Sequence, residues 1–283
     1  MNPECLLCFL RRNLETAGKL GDEQTAMAFA RALMKCCAEA PPEASTPFFS
    51  GEVSTLFTRF YGLDPDRFRQ EKADSNRFAL SRLEQIRASA EAGEDPVYAG
   101  LQLAILGNYI DFGALQGEVS FEQLEQMLEQ AEKAELDREC YQSLLADLAQ
   151  GKKLLYLTDN AGEIVFDRVL AELIQARFPQ LEITFCVRGG PAQNDATRED
   201  AAAAGIPFRV IDNGICIAGT PPELIGAEAR RALEEADVII AKGQGNCETL
   251  YGCDWNVYFA FLVKCSRFIR MFNRPKFTPM LTK

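Results

Sequence analysis

The chain has 283 residues, 47% of them hydrophobic, so it is long and apolar enough for one large domain or two ordinary ones. Its net charge of −11 argues against nucleic acid or an anionic membrane as a partner, because both need clustered Lys and Arg. Histidine is absent, which excludes a Ser-His-Asp or Cys-His catalytic arrangement and zinc bound by histidine. Any metal would be held by thiolates or by oxygen ligands, and oxygen ligands suit Mg²⁺, Mn²⁺ or Ca²⁺.

The sequence predicts a cytoplasmic protein. No apolar run is long enough to span a bilayer, and the first residues lack the basic and apolar segments of a signal peptide. The chain contains ten cysteines. Without an export signal, these are expected to be reduced thiols rather than a disulfide framework.

The first 150 residues are predicted to be helical, because apolar residues recur there mostly at three- and four-residue intervals. Proline residues mark loops near residues 41–47 and 91–96. Asp64-Pro65 is expected to open a helix that continues to about Ala90, since proline is favoured in a first helical turn. The other predicted helices are residues 1 to about 40, a stretch near 57–61, and residues 98–106, 121–131 and 140–148.

Four cysteines lie in the first two helical stretches. Cys5 and Cys8 form a C-x-x-C motif, and Cys36 and Cys37 are adjacent in the chain. Four thiolates could bind zinc or an iron–sulfur cluster, although this pairing is not a common zinc spacing. A redox pair and simple buried thiols are the alternative interpretations.

From Lys152 onward, strands alternate with helices. This alternation predicts a parallel sheet that is covered by helices on both faces. It also divides the chain into a helical part, residues 1–150, and an α/β part, residues 151–283. The predicted strands are residues 154–157, 183–187, 208–211, 238–241 and 257–263, and the predicted helices are residues 162–176, 197–204 and 222–235.

Polar residues follow the first two strands at the point where each strand ends. Asp159 and Asn160 follow the first strand, and Asp195 follows the second after a Gly-Gly-Pro turn. Each could simply cap the next helix. Because the carboxyl ends of parallel strands share one edge of the sheet, we expect the three side chains to meet there. Two carboxylates and an amide would suit Mg²⁺ or Mn²⁺.

Lys242 ends the fourth strand and is followed by Gly243 and Gly245. An ammonium group and glycine-rich backbone N–H groups can jointly hold an anion. Together with a cation at the neighbouring strand ends, Lys242 would neutralise the charge on a phosphoryl group during its transfer.

Asn108 and Asp111 lie between two glycines, Gly107 and Gly113, in a run that is otherwise apolar. This segment is interpreted either as the end of a helix followed by a turn, or as a polar pair that faces a cleft.

These motifs resemble the damage-control phosphatase family, formerly domain of unknown function 89 and also called acidic residue methyltransferase-like. The resemblance covers nearly the whole chain. The strand-end matches are residues 158–163 with Asp167, residues 189–197 and residues 242–246. The matches to the prokaryotic branch are Cys5-x-x-Cys8, Asp64-Pro65 with Lys72 and Asn76, Gly107-Asn108 with Asp111, and Lys264-Cys265.

The resemblance implies a three-layer α/β/α sandwich with a mostly parallel sheet and an N-terminal helical subdomain. It also implies a phosphatase that uses Mg²⁺ or Mn²⁺, or Co²⁺ or Ni²⁺, to hydrolyse phosphomonoesters of small metabolites, such as damaged or surplus sugar phosphates or cofactor precursors. By this resemblance the metal ligands are Asp159, Asn160 and Asp195, the catalytic residues are Asp159 and Lys242, and the residues at the substrate are Asn108, Asp111, Glu163, Lys242, Gly243 and Asn246.

Two other functions stay open at this point. One is an S-adenosylmethionine-dependent protein carboxyl methyltransferase, which usually needs a glycine-rich turn after the first strand, where this chain has only Gly162. The other is a protein that binds a phosphorylated metabolite without turning it over. For a phosphatase, the attacking group is either a water molecule or Asp159 itself. The oligomeric state is left open.

Overall fold

The computed structural model describes residues 2–41, 44–110 and 134–283. The helix predicted at residues 121–131 and the predicted site residue Asp111 lie outside these ranges. Within the described part of the chain, no helix combines the length and the apolar character needed to cross a bilayer.

The first three helices have a core of their own. They are α1 (Pro3–Leu20), α2 (Glu23–Glu39) and α3 (Ser50–Tyr61). The helical stretch predicted for residues 1–40 is divided at Gly21-Asp22, where the Asp22 carboxylate accepts a hydrogen bond from the Thr25 backbone and caps α2. In the core, the rings of Phe29 and Phe57 lie 4.7 Å apart between centroids.

The next three helices are α4 (Arg69–Leu80), α5 (Leu83–Glu91) and α6 (Pro96–Leu106). The prediction of one helix from Asp64 to Ala90 was wrong in two places. The Asp64 carboxylate accepts from the Asp66 backbone N–H and forms a turn, so α4 begins only at Arg69. The helix is then interrupted at residues 81–82, where the Ser81 hydroxyl donates to the Phe78 carbonyl and competes with the helical backbone.

Six strands form one sheet in the order β3-β2-β1-β4-β5-β6. The first five are parallel, and β6 pairs with β5 in the antiparallel direction. The sequence did not predict β6, which has only four residues. The strands are β1 (Lys153–Leu157), β2 (Glu182–Val187), β3 (Arg209–Asp212), β4 (Val238–Lys242), β5 (Val257–Leu262) and β6 (Pro279–Thr282).

Among the described residues, six further helices accompany the sheet, and three of them differ from the prediction. The helix predicted from Pro222 begins at Ala227, the glycine-rich turn predicted after β4 is already the first turn of a helix, and the helix Ser266–Phe272 was not predicted. These helices are α7 (Arg138–Gln150), α8 (Glu163–Arg177), α9 (Arg198–Ala203), α10 (Ala227–Glu235), α11 (Gly243–Leu250) and α12 (Ser266–Phe272).

The sheet is buried on both faces, which confirms the predicted three-layer α/β/α architecture. Leu154 and Tyr156 of β1 pack in one apolar cluster with residues of α4 to α8, whereas Leu155 and Leu157 pack in a second with α10, α11 and α12. Helices α4 to α6 therefore share a core with the sheet, while α1 to α3 have a separate one. The division at residue 150 stays a prediction.

Strand order reverses between β1 and β4. From β1 the chain moves outward to β2 and β3 on one side, and β4 and β5 then occupy the other side. In open α/β sheets, ligands bind at the carboxyl ends of the strands beside such a reversal.

Candidate active site

The loops after β1 and β2 meet at the reversal point. Asn160 and Asp195 form a β-bridge, and the Ala196 backbone N–H donates to the Asp159 carbonyl at 2.7 Å. These loops are therefore held by backbone hydrogen bonds, as the shared sheet edge predicts. The predicted site residues that follow the two strands lie side by side.

Asp159 has a fixed carboxylate at this edge. Its Oδ2 accepts from Asn108 Nδ2 at 2.9 Å and from Asn160 Nδ2 at 2.8 Å. Gly243 packs directly against it at a φ of +76°, and a Cβ at this position would lie 2.0 Å from Oδ2. Both the left-handed backbone and the close approach therefore require glycine at residue 243.

Arg188 connects the two predicted carboxylate ligands. Its Nε donates to Asp195 Oδ2 at 2.6 Å, and its Nη2 lies 3.8 Å from Asp159 Oδ1. The Arg188 side chain is completely buried, whereas 13% of the Asp159 side chain is exposed. Arg188 Nη2 has no hydrogen-bond partner among the described residues. In the sequence, nothing marks Arg188 as a site residue except its position directly after β2.

The surroundings of Asp159 raise its pKa well above the ordinary aspartate value. The main cause is burial, followed by the negative charges of Asp195 and Glu163, while Arg188 and Lys264 act in the opposite direction. Negative charge at this sheet edge is therefore incompletely balanced by the neighbouring cations. Burial and repulsion of this kind are what a bound cation would relieve.

The donor set fits a hard divalent cation in part. Asp159 and Asp195 offer carboxylate oxygens that converge on one guanidinium. Asn160 instead turns its Nδ2 toward Asp159, and its Oδ1 accepts from Asn194 Nδ2 at 2.9 Å. Asn160 would have to exchange this contact in order to bind a cation through Oδ1. The two carboxylates lie on either side of one guanidinium, whereas the amide oxygen faces Asn194.

Lys242 differs from the prediction of an ammonium that contacts phosphate. Its Nζ donates to Glu163 Oε1 at 2.6 Å, Asp167 Oδ1 at 2.7 Å and the Ala104 carbonyl at 2.7 Å. These contacts use all three hydrogens of a completely buried ammonium group. Burial would lower the pKa of Lys242, but the Asp167 and Glu163 carboxylates outweigh burial and raise it. Lys242 as placed here holds two carboxylates.

Glu163 joins this lysine to Asp159. Its Oε2 accepts from Asn108 Nδ2 at 2.5 Å and from Asn160 Nδ2 at 2.9 Å. Asn108 comes from the turn after α6, so the helical part of the chain contributes directly to the site. The Asn108 carbonyl also accepts from Lys264 Nζ at 3.0 Å. Residues 107–110 form the predicted turn, and Asn108 faces Asp159 and Glu163 from it, so its predicted place at the substrate stays a prediction.

Asn246, predicted to face the substrate, is completely buried. Its Nδ2 donates to the Thr158 and Lys242 carbonyls, and its Oδ1 accepts from the Thr220 hydroxyl at 2.7 Å. Both ends of the amide therefore form hydrogen bonds beside Arg188, so Asn246 stabilises the buried side of the site.

Two residues of α4 hold the segments that follow β1 and β2 from the helical side. Asn76 Nδ2 donates to Asp200 Oδ1 at 2.8 Å, and Asn76 Oδ1 accepts from the Gly162 backbone at 2.7 Å. Lys72 Nζ pairs with Asp200 Oδ2 at 2.6 Å. The motif residues Lys72 and Asn76 are both buried; Asn76 anchors the loop after β1, and both hold Asp200 at the start of α9.

The four N-terminal cysteines are all unbridged, and Cys5 Sγ accepts from Arg267 Nη1 at 3.7 Å. Within residues 2–41, 44–110 and 134–283, no group of three or more His, Cys, Asp or Glu side chains is arranged to hold a metal ion. The predicted site at β1 and β2 has two carboxylates and an amide and is not such a group.

Comparison with known proteins matches residues 1–277 to a family described as the damage-control phosphatase ARMT1-like domain. A damage-control phosphatase of Pyrococcus horikoshii is 34% identical over 281 residues, which is 96% of this chain and 94% of the relative. A damage-control phosphatase of Archaeoglobus fulgidus is 31% identical over 277 residues, covering 94% and 92% of the two chains. An uncharacterized protein of Methanocaldococcus jannaschii is 33% identical over 276 residues, covering 94% and 89%.

The fold agrees with these matches. The crystal structure of a DUF89 family protein from Pyrococcus horikoshii superimposes with a TM-score of 0.84 and 29% sequence identity, covering all of this chain and 98% of the other. The matches extend over the helical part, the sheet and the loops that hold Asp159 and Asp195. This chain therefore belongs to the damage-control phosphatase ARMT1-like family, as its strand-end motifs had predicted.

Proposed function

We propose that this protein is a divalent-metal-dependent phosphatase of small phosphorylated metabolites, such as damaged or surplus sugar phosphates or cofactor precursors. The observation that carries the proposal is the convergence of the Asp159 and Asp195 carboxylates on Arg188, beside the point where strand order reverses. Family membership and the names of the two phosphatase relatives support the same reaction class.

Asp159 and Asp195 would hold the ion, with Asn160 joining through its Oδ1. Mg²⁺ or Mn²⁺ is the expected ion, with Co²⁺ or Ni²⁺ as substitutes, because carboxylate and amide oxygens suit hard cations. When bound, such an ion supplies positive charge at the phosphoryl oxygens.

The protein's own groups fix the geometry of Asp159. Asn108 and Asn160 donate to its Oδ2, so Oδ1 is the oxygen that stays directed toward Arg188. In this orientation Asp159 either attacks the phosphorus atom or orients the attacking water. Both roles need the ionised carboxylate, which the positive charges of Arg188 and Lys264 favour.

The two lysines have different proposed roles. Lys242 keeps Glu163 in position through its buried ion pair, so it is a positioning residue. Lys264 is only partly buried, and its charge already acts on Asp159, so it is the ammonium that we assign to a phosphoryl oxygen. This assignment replaces the predicted phosphate contact of Lys242.

Turnover of p-nitrophenyl phosphate tests the proposal. We expect turnover to be lost after treatment with EDTA and to be restored by Mg²⁺, Mn²⁺, Co²⁺ or Ni²⁺. Asp159→Asn should lower kcat/KM by on the order of 10²–10³, as expected when a charge that stabilises the transition state is lost. Asp212→Asn is the matched control, because Asp212 ends β3 at the same edge but pairs with Arg198.

Four results would count against the proposal. Full turnover in EDTA contradicts the metal, and full turnover by Asp159→Asn contradicts the site. Binding of p-nitrophenyl phosphate without product over hours indicates a binding protein, and calorimetric binding of S-adenosylmethionine without phosphatase turnover indicates a methyltransferase.

A further inference from the structure

A second group of residues lines a cleft beside the candidate active site. The cleft is small, about 20 Å³, and lies between the helical part and the loops after β2 and β3. Arg67 lines one wall, and residues 191–193 line the opposite wall, next to Cys216. The second wall leads directly into Asn194, which contacts Asn160, and Asp195, which pairs with Arg188. One wall of the cleft is therefore directly adjacent in the chain to residues proposed to hold the cation.

Arg67 is held in place by aromatic rings. Its guanidinium carbon lies 4.8 Å from the centroid of the Phe68 ring and 5.6 Å from that of the Phe57 ring. Stacking of this kind uses the faces of the guanidinium and leaves its N–H edge for hydrogen bonds. Arg67 is thus oriented in the cleft before any ligand is present.

The charge of Arg67 is not neutralised by a contact. No carboxylate in residues 2–41, 44–110 and 134–283 forms an ion pair with it, whereas its neighbour Arg69 pairs with Asp66 at 2.5 Å. Burial lowers the pKa of Arg67 from the ordinary arginine value, with Glu71 acting in the opposite direction. A partly buried guanidinium without a counter-ion is a preformed binding group for an anion.

The opposite wall carries an uncommon backbone conformation. Gln193 has a φ of +54°, a value that residues other than glycine rarely adopt. Such conformations persist where the surrounding structure enforces them, and they concentrate at ligand-binding loops. Gln193 follows the buried Ala192 and is itself exposed.

We propose that Arg67 is a specificity-determining residue that binds a second anionic group, a carboxylate or a second phosphate, of a substrate whose phosphomonoester lies at Asp159 and Asp195. This inference rests on the proposed function and adds a substrate class to it. A molecule with a second anionic group besides its phosphomonoester is otherwise repelled by a chain of net charge −11. The positive charge of Arg67 offsets that repulsion at one end of the cleft.

Matched substrate pairs test the inference. Glycerol 3-phosphate and 3-phosphoglycerate differ only in a terminal carboxylate, as do sorbitol 6-phosphate and 6-phosphogluconate. Fructose 1-phosphate and fructose 1,6-bisphosphate differ only in the second phosphate. In at least one pair we expect the wild-type kcat/KM to be higher for the member that carries the second anionic group. The pair that shows the preference identifies the anion and its distance from the phosphomonoester.

The preference should depend on Arg67. In Arg67→Gln we expect the ratio of kcat/KM within that pair to fall roughly 10- to 100-fold, mainly through KM, because a charge-assisted bidentate contact is lost. Arg67→Lys should retain part of the preference, since lysine keeps the charge but lacks the paired N–H donors of the guanidinium. Arg69→Gln is the matched control and should leave the ratio unchanged.

Several outcomes would overturn the inference. One is a wild type without preference in any pair, and another is an Arg67→Gln variant, folded by circular dichroism, with the wild-type ratio. If the wild type turned over no phosphomonoester, including p-nitrophenyl phosphate, the proposed function would fail separately. The ratio would then be read from dissociation constants by calorimetry, and an unchanged ratio in Arg67→Gln would again reject the subsite.

Discussion

Two charged clusters lie next to each other in this protein, and they differ in how completely their side chains are buried and paired. The lysine cluster consists of Lys242, Glu163 and Asp167, and the aspartate cluster consists of Arg188, Asp159 and Asp195. Each has one cation and two carboxylates. The three members of the lysine cluster are completely buried, with contacts of 2.6–2.7 Å. In the aspartate cluster, the Asp159 side chain is 13% exposed and Arg188 is 3.8 Å away.

The difference shows that charge alone does not locate an active site. Lys242 has no hydrogen left for a ligand, so the lysine cluster fixes the structure around it. The aspartate cluster reaches the surface, and Arg188 Nη2 has no hydrogen-bond partner among the described residues. Accessibility together with incomplete pairing distinguishes a cluster that can bind a ligand from one that supports the fold.

The largest expected effect is on the lysine cluster. Lys242→Met would leave Glu163 and Asp167 buried without their cation, which should lower the free energy of unfolding by about 3–5 kcal/mol. Chemical denaturation measures this loss. The matched control is Lys153→Met, which breaks a surface pair with Glu235 and should leave stability almost unchanged. Equal stability of Lys242→Met and the wild type would contradict the structural role of Lys242.

A second substitution should damage the aspartate cluster. In Gly243→Ala the new methyl group would displace the Asp159 carboxylate, since the Cβ would lie 2.0 Å from Oδ2. We expect kcat/KM for p-nitrophenyl phosphate to fall by on the order of 10², comparable to the loss of a stabilising group.

The control for this substitution separates crowding from backbone strain. Gly252 also has a positive φ, of +84°, but a Cβ there would meet nothing within 4 Å. Gly252→Ala should therefore cost about 1–2 kcal/mol of stability with little effect on turnover. Equal losses of turnover in Gly243→Ala and Gly252→Ala would show that crowding of Asp159 is not the cause of the loss.

The smallest effect concerns the residue that joins the clusters. Asn108 Nδ2 donates to both Asp159 and Glu163, and Asn108→Ala should lower kcat/KM roughly tenfold because these charge-assisted bonds are lost. Asn256→Ala, which removes a similar pair of bonds to Asp147 and the Asp237 carbonyl, is the control. If both variants kept full turnover, Asn108 would not orient Asp159.

Local patterns were sufficient to predict most of the sheet and part of the site. The parallel strands are continuous apolar runs because both faces are covered, and their ends place Asp159 near Asp195. The four-residue β6 was missed because an edge strand of this length gives little periodic signal.

Arrangements that depend on distant contacts could not be predicted. The burial of Lys242 depends on Ala104, Glu163 and Asp167, which lie on α6 and α8, so its sequence neighbours suggested only a lysine at a glycine-rich turn. Arg188 looked like an ordinary charge at a strand end. Its role becomes visible only when Thr220, from the loop after β3, and Asn246, from α11, enclose it.

Calorimetric titration of Mn²⁺ into EDTA-treated protein measures directly whether Asp159 and Asp195 share one cation. We expect a single site in the wild type and in Asp212→Asn. Binding should weaken by at least about 10- to 100-fold in both Asp159→Asn and Asp195→Asn, because even outer partners of metal ligands contribute that much. Wild-type affinity in either of these two variants would show that the two carboxylates do not share an ion.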